Sequence, residues 1–241
     1  MNLLIYNTKD ELLEDLAEYI LTIANDSIDA RGRFNFVLTG GNSPKELYHS
    51  LATTYKDKID WTKVYFFFGD ERNVLPNHES YNGLMAKESI LDPLHIPANQ
   101  IFYIDTTLAP EKAAIEYAKA ISKHFENTDL VFDLILLGMG DDAHTASLFP
   151  GTDILKSEEA TIDSVWVEKL STYRISFTAP LINKASNVAF LVFGQNKAEA
   201  VKHVIEDEDK NPTLYPSQLI EPYEGGVTWF LDNEAASLLS N

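Results

Sequence analysis

Two side chains near the middle of the chain could together perform acid–base chemistry. Asp142 and His144 are separated by a single residue within a glycine-rich segment, residues 138–151, that directly follows an apolar run. A neutral imidazole can take a proton from water, and a nearby carboxylate can fix its tautomer and stabilise the imidazolium that forms. A structural histidine bonded to the backbone is the alternative, and the residue types alone favour neither interpretation.

A glycine-rich turn after another apolar run is a candidate phosphate site. It consists of Gly40, Gly41, Asn42 and Ser43. We predict that Ser43 caps a helix with Pro44 at its first position, and Glu46 completes a capping-box pattern. Glycines let a backbone approach a ligand, and a helix N-terminus offers free N–H groups to an anion. The turn is not a Walker motif, so an ordinary strand–turn–helix junction remains open.

A third polar segment, Asp70, Glu71 and Arg72, follows a run that contains consecutive phenylalanines. Burying unpaired charge is costly, so three charged residues are poor core material. A guanidinium at such a position could grip a phosphate or stabilise an oxyanion. A surface turn or a structural ion pair is the alternative.

The elements that position these segments alternate along the chain. The spacing of apolar residues predicts strands at residues 2–6, 34–38, 64–68, 101–104, 132–137, 165–167, 174–177 and 188–193. It predicts helices at residues 9–24, 44–52, 81–91, 109–125 and 197–205. This alternation predicts an α/β fold: an open, doubly wound, mostly parallel sheet with helices on both faces. Ligands bind beyond the carboxyl ends of such strands, so the three polar segments are expected to converge there.

The composition narrows the range of functions. The chain has 241 residues, no cysteine and a formal net charge of −18. The charge argues against nonspecific binding to nucleic acid or to anionic membranes, and the lack of cysteine excludes disulfides, thiolate metal sites and a cysteine nucleophile. No metal-binding motif such as HExxH occurs, so no metal site is expected. One domain, residues 1–241, is expected, with the cytoplasm as its compartment because no signal-like or membrane-spanning apolar stretch is evident.

Taken in this order, the segments resemble the 6-phosphogluconolactonase family, part of the glucosamine/galactosamine-6-phosphate isomerase superfamily. The resemblance runs through residues 39–41, 69–72, 138–151, 174–178, 194–198 and 229–235, and residues 144–150 are its most specific part. It implies hydrolysis of 6-phosphoglucono-1,5-lactone to 6-phosphogluconate, a step of the oxidative pentose phosphate route. The substrate would be a small phosphorylated sugar lactone, with no cofactor, and a monomer is expected.

The resemblance also implies a role for each motif residue. His144 would act as general base on a water, Asp142 would orient it, and Arg72 would lie near the developing oxyanion. The substrate and its phosphate would be held by the residues Gly40, Gly41, Asn42, Ser43, Asp70, Arg174 and Lys197. The family usually has glycine immediately before the motif histidine, where this chain has Ala143. If that position needs a positive φ, alanine costs about 1 kcal/mol or more there.

Two other functions remain open at this level. An amino-sugar-phosphate deaminase of the same superfamily typically has tyrosine where this chain has Arg72, and Asn-Glu-Pro where this chain has residues 147–150. A non-catalytic sugar-phosphate sensor would need a DNA-binding module, and the strong acidity of the chain argues against one. Both alternatives are therefore less favoured than the lactonase.

Overall fold

The computed structural model describes residues 1–240. In chain order the strands are β1 (Asn2–Tyr6), β2 (Phe34–Leu38), β3 (Val64–Phe68), β4 (Asp70–Arg72), β5 (Leu134–Leu137), β6 (Ile162–Val167), β7 (Thr172–Phe177), β8 (Asn187–Val192) and β9 (Gly226–Asp232). The α-helices are α1 (Lys9–Arg31), α2 (Ser43–Thr53), α3 (Asn82–Ala86), α4 (Pro110–His124), α5 (Ala179–Ile182) and α6 (Ala198–Glu206). No helix within these 240 residues is long and apolar enough to cross a membrane.

Six strands form a parallel sheet in the order β1-β9-β8-β5-β2-β3. From β2 the chain continues outward to β3, whereas from β5 it proceeds through β8 and β9 in the opposite direction. The winding direction therefore reverses between β2 and β5, and such a reversal opens a crevice beyond the carboxyl ends of the two strands. The glycine-rich segments that begin at Thr39 and Gly138 leave these two strands directly into that crevice.

Both faces of the central sheet are covered. Every residue of β2 and of β5 is buried, although neighbouring side chains of a strand point to opposite faces. Such continuous apolar strands are typical of a parallel sheet between two helical layers. The predicted α/β fold, open and mostly parallel, is confirmed.

Two buried tyrosines fix the ends of the strands that lead to the crevice. Tyr48 of α2 accepts from the backbone N–H of Thr39 and donates to its carbonyl, both at 2.9 Å. Tyr117 of α4 makes the same pair of contacts with Phe68, at 2.8 and 3.2 Å. These hydroxyls satisfy backbone groups that the sheet does not pair, because buried backbone polar groups need a partner.

A second sheet of three antiparallel strands, in the order β4-β7-β6, stands beside the crevice. Arg72 lies directly opposite Arg174 in its register. This sheet accounts for the charged segment 70–72, because these residues pair with β7 and do not extend the parallel sheet.

Several sequence predictions need correction. Residues 101–104 do not form a strand; only Ile101 makes an isolated bridge, to Phe66. The predicted helix at residues 81–91 is α3 followed by a π-helical turn, Lys87–Leu91. Helix α1 continues seven residues past residue 24, to Arg31, and ends where Gly32 takes a φ of 75°.

The start of α2 also differs from the prediction. Ser43 is the first helical residue and Asn42 occupies the cap position, with no side-chain hydrogen bond at that cap. The capping box predicted from Ser43 and Glu46 is therefore wrong. The segment after His144 forms a turn closed by a bridge between Thr145 and Leu148.

Candidate active site

A cleft of about 360 Å³ lies beyond the carboxyl ends of β2 and β5. Eight of the ten predicted site residues line it: Gly40, Gly41, Ser43, Asp70, Arg72, His144, Arg174 and Lys197. The remaining two differ from each other. Asp142 lies behind the histidine and contacts it directly, whereas Asn42 is exposed and is not among the lining residues.

His144 is held at the cleft by a carboxylate on one of its ring nitrogens. Its Nδ1 lies 2.5 Å from Oδ1 of Asp142, and its backbone N–H donates to the same oxygen at 3.3 Å. The other oxygen, Oδ2, accepts from Nζ of Lys169 at 3.0 Å. Burial alone would raise the pKa of Asp142, but the hydrogen bonds from His144 and Lys169 hold it well below its usual range. The carboxylate is thus ionised at neutral pH, and Nε2 remains available to a water in the cleft.

The turn that carries this pair is tightly constrained. There is no room for a side chain at Gly140, because a Cβ there would lie 2.0 Å from His144 Nδ1 and 2.6 Å from Asp142 Oδ1. On the other side the imidazole stacks on the ring of Phe149, with 4.0 Å between the ring centroids. Ala143 adopts a φ of 58°, so the position before the histidine does need the left-handed conformation.

Two arginines from the small sheet, Arg72 and Arg174, also line the cleft. Arg72 donates from Nη1 to the carbonyl of Ser80 at 2.9 Å. The Nε atoms of Arg72 and Arg174 are buried and find no hydrogen-bond partner among residues 1–240. Burial lowers the pKa of Arg174, while the nearby Asp70 raises it and Arg72 lowers it further. Two like charges side by side in a partly buried site favour an anionic ligand between them.

Asp70 connects the turn that carries His144 with the small sheet. Its Oδ2 accepts from the hydroxyl of Ser147 at 2.6 Å, and its backbone carbonyl accepts from Nδ2 of Asn82 at 3.0 Å. The same Asn82 side chain leaves no room at Gly40, where a Cβ would lie 1.9 Å from its Oδ1. Asp70 therefore ties the histidine turn to the small sheet, and Asn82 ties the small sheet to the glycine turn.

Glu71 is a buried carboxyl beneath the cleft. Its oxygens accept from the backbone N–H groups of Arg72, Asn82 and Gly83, at 2.8, 2.8 and 2.9 Å. Burial raises the pKa of Glu71 to about 8, while these three donors lower it. The side chain fixes the first residues of α3 against β4, and so holds the strand that carries Arg72.

The cleft lining also includes a helix N-terminus and a lysine. Gly41 adopts a φ of 97°, which a glycine allows without strain, and Ser43 begins α2. Lys197 lies at the N-terminal end of α6, and no carboxylate within the described part of the chain lies within 4.0 Å of its ammonium group. These groups can bind a phosphate through backbone N–H donors and a cation.

Sequence reasoning missed several residues of the cleft. Lys169 and Leu170 come from the turn between β6 and β7, and Met139, Phe149 and Phe193 add apolar walls. Phe149 lies within the recognised motif, but nothing in the spacing of Lys169, 27 residues after Asp142, indicated their contact. In the part of the chain that the structure describes, no group of three or more metal-ligating side chains comes together.

Comparison with known proteins gives a consistent result. The family model described as glucosamine-6-phosphate isomerases/6-phosphogluconolactonase matches residues 7–229. The 6-phosphogluconolactonase of a Nostoc species is 40% identical over 227 residues, which cover 92% of this chain and 92% of that protein. The chloroplastic 6-phosphogluconolactonase 3 of Arabidopsis thaliana is 35% identical over 246 residues, covering 98% of this chain and 74% of that protein.

Solved structures extend the likeness to the fold. The structure of 6-phosphogluconolactonase from Trypanosoma cruzi matches with a TM-score of 0.86 and 26% identity, over 100% of this chain and 97% of that one. The enzyme from Trypanosoma brucei matches with a TM-score of 0.84 and 26% identity, over 99% and 98%.

Proposed function

Because the chain belongs to the family of glucosamine-6-phosphate isomerases and 6-phosphogluconolactonases, we propose that it hydrolyses 6-phospho-D-glucono-1,5-lactone to 6-phospho-D-gluconate. The relatives described above are 6-phosphogluconolactonases, so the enzyme is a lactone hydrolase. Its place would be the oxidative pentose phosphate pathway, where this lactone is formed and consumed.

One observation carries the mechanism: His144 borders the cleft with Asp142 on its Nδ1, and Arg72 and Arg174 line the same cleft. With Nδ1 holding the proton toward Asp142, Nε2 is the basic nitrogen that can accept a proton from water. The carboxylate then stabilises the imidazolium without itself taking the proton. This is the arrangement that a general base requires.

The reaction proceeds in two balanced steps. His144 removes a proton from the attacking water, whose oxygen forms a bond to the lactone carbonyl carbon, and the carbonyl π electrons move to its oxygen. Arg72 donates to that oxyanion, which places a fixed positive charge where negative charge develops. The oxyanion then collapses, the ring C–O bond breaks, and the imidazolium returns its proton to the departing alkoxide.

The phosphate of the substrate would bind in the same cleft, beside the lactone ring. Arg174, Lys197 and the Gly40–Gly41 turn at the start of α2 provide two cations and backbone N–H groups there. Binding energy at a non-reacting phosphate positions the lactone carbonyl against His144. A monomer is proposed as the active unit from the family resemblance alone, and the absence of cysteine fits a reducing compartment such as the cytoplasm.

A coupled assay tests the function. Glucose-6-phosphate dehydrogenase generates the lactone in place, and its disappearance is followed with and without the protein. The proposal predicts acceleration well above spontaneous ring opening and no ammonia release from glucosamine 6-phosphate. Lactone loss at the spontaneous rate would overturn it, and release of ammonia from the amino sugar would favour the deaminase reading.

A further inference from the structure

The residue before the histidine is held in a conformation that its side chain does not favour. Ala143 has a φ of 58° and is completely buried. For residues other than glycine, the left-handed region is unfavourable because the Cβ atom comes too close to the following carbonyl oxygen. A second alanine, Ala146, has a φ of 47°, so the turn around His144 has strained positions on both sides. Something outside the turn must compensate for this cost.

Ser217 makes the contact that can do so. Its backbone N–H and its hydroxyl both donate to the carbonyl of Ala143, at 3.0 and 2.7 Å. The serine is 2% exposed, so water does not compete for these bonds. The carbonyl of Ala143 belongs to the peptide unit that joins Ala143 to His144. Two donors on this oxygen therefore fix the orientation of the peptide that carries the histidine.

The segment that contains Ser217 is itself well anchored. Gln218 donates to the carbonyl of His203 in α6 at 2.8 Å and accepts from the N–H of Asn211 at 2.7 Å. The same stretch reaches the other end of the motif, where the N–H of Gly151 donates to the carbonyl of Thr213 at 3.1 Å. Residues 211–218 thus brace the histidine motif at both ends.

We propose that Ser217 is a positioning residue that compensates for alanine at position 143, and that it keeps His144 on Asp142 by clamping the Ala143 carbonyl. A glycine at position 143 would adopt the same φ without strain and would need the clamp less. The roles of Ser217 and Ala143 are therefore coupled, and the effects of the two substitutions on kcat should not be additive. The kinetic part of this inference rests on the proposed lactonase function, whereas the geometric part does not.

The test is a double-mutant cycle with two readouts. Ser217→Ala removes the hydroxyl donor; we expect it to lower kcat roughly five- to tenfold, the range for one lost hydrogen bond, with KM within about twofold. In the Ala143→Gly background the same change should cost about twofold or less. The matched control is Ser89→Ala, another buried serine whose hydroxyl donates to a backbone carbonyl, that of Met85 at 2.6 Å, outside the cleft.

The second readout needs no substrate. The proton between His144 Nδ1 and Asp142 should give a downfield NMR signal, assigned by its loss in His144→Ala. We expect Ser217→Ala to broaden or remove this signal, and the Ala143→Gly background to restore it. An unchanged signal in Ser217→Ala overturns the inference, as does equal loss in both backgrounds. Lack of lactonase activity in the wild-type protein would overturn the proposed function, and the NMR signal would still decide the role of Ser217.

Discussion

Arg72 and Arg174 lie directly opposite each other in the antiparallel pair of β4 and β7. Directly paired residues of neighbouring strands project from the same face, so two guanidinium groups share one wall of the cleft. Both keep a buried Nε without a hydrogen-bond partner among the described residues. The two positive charges repel each other unless an anion lies near both. The pair therefore favours binding of a phosphorylated ligand and destabilises the protein when no ligand is bound.

Substituting Arg174 by methionine separates the effect of this arginine on substrate binding from its effect on stability. Arg174→Met should raise KM for the lactone roughly ten- to a hundredfold, the range for losing a hydrogen bond to a charged group. The thermal midpoint without ligand should not fall, and inorganic phosphate should stabilise the variant less than the wild type. Kinetics and thermal melts with and without phosphate measure both. Arg33→Met is the control, because Arg33 bonds to Thr128 and does not line the cleft; an unchanged KM in Arg174→Met would contradict the assignment.

Adding a single methyl group at Gly140 should disturb the histidine pair. A Cβ there would come within 2.0 Å of His144 Nδ1, so Gly140→Ala must displace the ring or the carboxylate. We expect kcat to fall about a hundredfold, as for a misplaced catalytic group. Gly226→Ala is the control, since a Cβ at Gly226 meets no atom within 4 Å. Full activity in Gly140→Ala would mean that the contact between His144 and Asp142 is dispensable.

Lys169 should influence the pH dependence of the reaction. Its hydrogen bond to Asp142 raises the pKa of Lys169, and its charge offsets part of the negative charge that favours the imidazolium. Lys169→Met should therefore move the acid limb of the pH–rate profile upward, and by less at high salt than at low salt, because the ammonium is exposed. Lys156→Met, which removes an exposed pair with Asp153, serves as the control. A profile that stays in place at low salt, or moves downward, would count against the contact.

Glu71 should make stability depend on pH. Burial raises the pKa of Glu71 to about 8 from its ordinary value of 4.5, so between these values the folded protein binds more protons than the unfolded chain. Stability from this group is thus fully present below about pH 4.5 and is lost as the pH rises toward 8. Glu71→Gln cannot titrate, so the difference in unfolding free energy between the two proteins should shrink as the pH rises over that window. Denaturant melts at pH 5 and 8 would measure it, and a difference that grows would show that the three N–H donors dominate over burial.

The parts of the fold that the sequence could predict are those where one local signal dominates. The apolar runs of β2, β3 and β8 are strand-like whatever surrounds them, and they lie where the pattern predicted them, within one residue. Strand β4 could not be found in this way, because Asp70, Glu71 and Arg72 owe their extended form to pairing with β7. Residues 101–104 show the reverse: their composition suits a strand, but the only β-bridge they form is that of Ile101 with Phe66.

The same distinction applies to the site. His144 and Arg72 could be named because each follows a recognisable strand end. The contact of Lys169 with Asp142 and the clamp of Ser217 on Ala143 depend on chain segments that meet only in the folded protein, 27 and 74 positions apart. Ala143 is an intermediate case. The sequence indicated that this position could need a positive φ, and the backbone of the folded protein shows that it adopts one.

The central claim is that His144 accepts the proton from the attacking water. The most direct measurement is the enzyme-dependent rate of 6-phosphogluconolactone hydrolysis for wild type and His144→Ala, after subtraction of spontaneous opening. His49→Ala, an exposed histidine on α2, is the control. We expect His144→Ala to lower kcat by about a hundredfold to ten-thousandfold and His49→Ala to retain the wild-type rate. A His144→Ala variant that hydrolyses the lactone as fast as the wild type would contradict it.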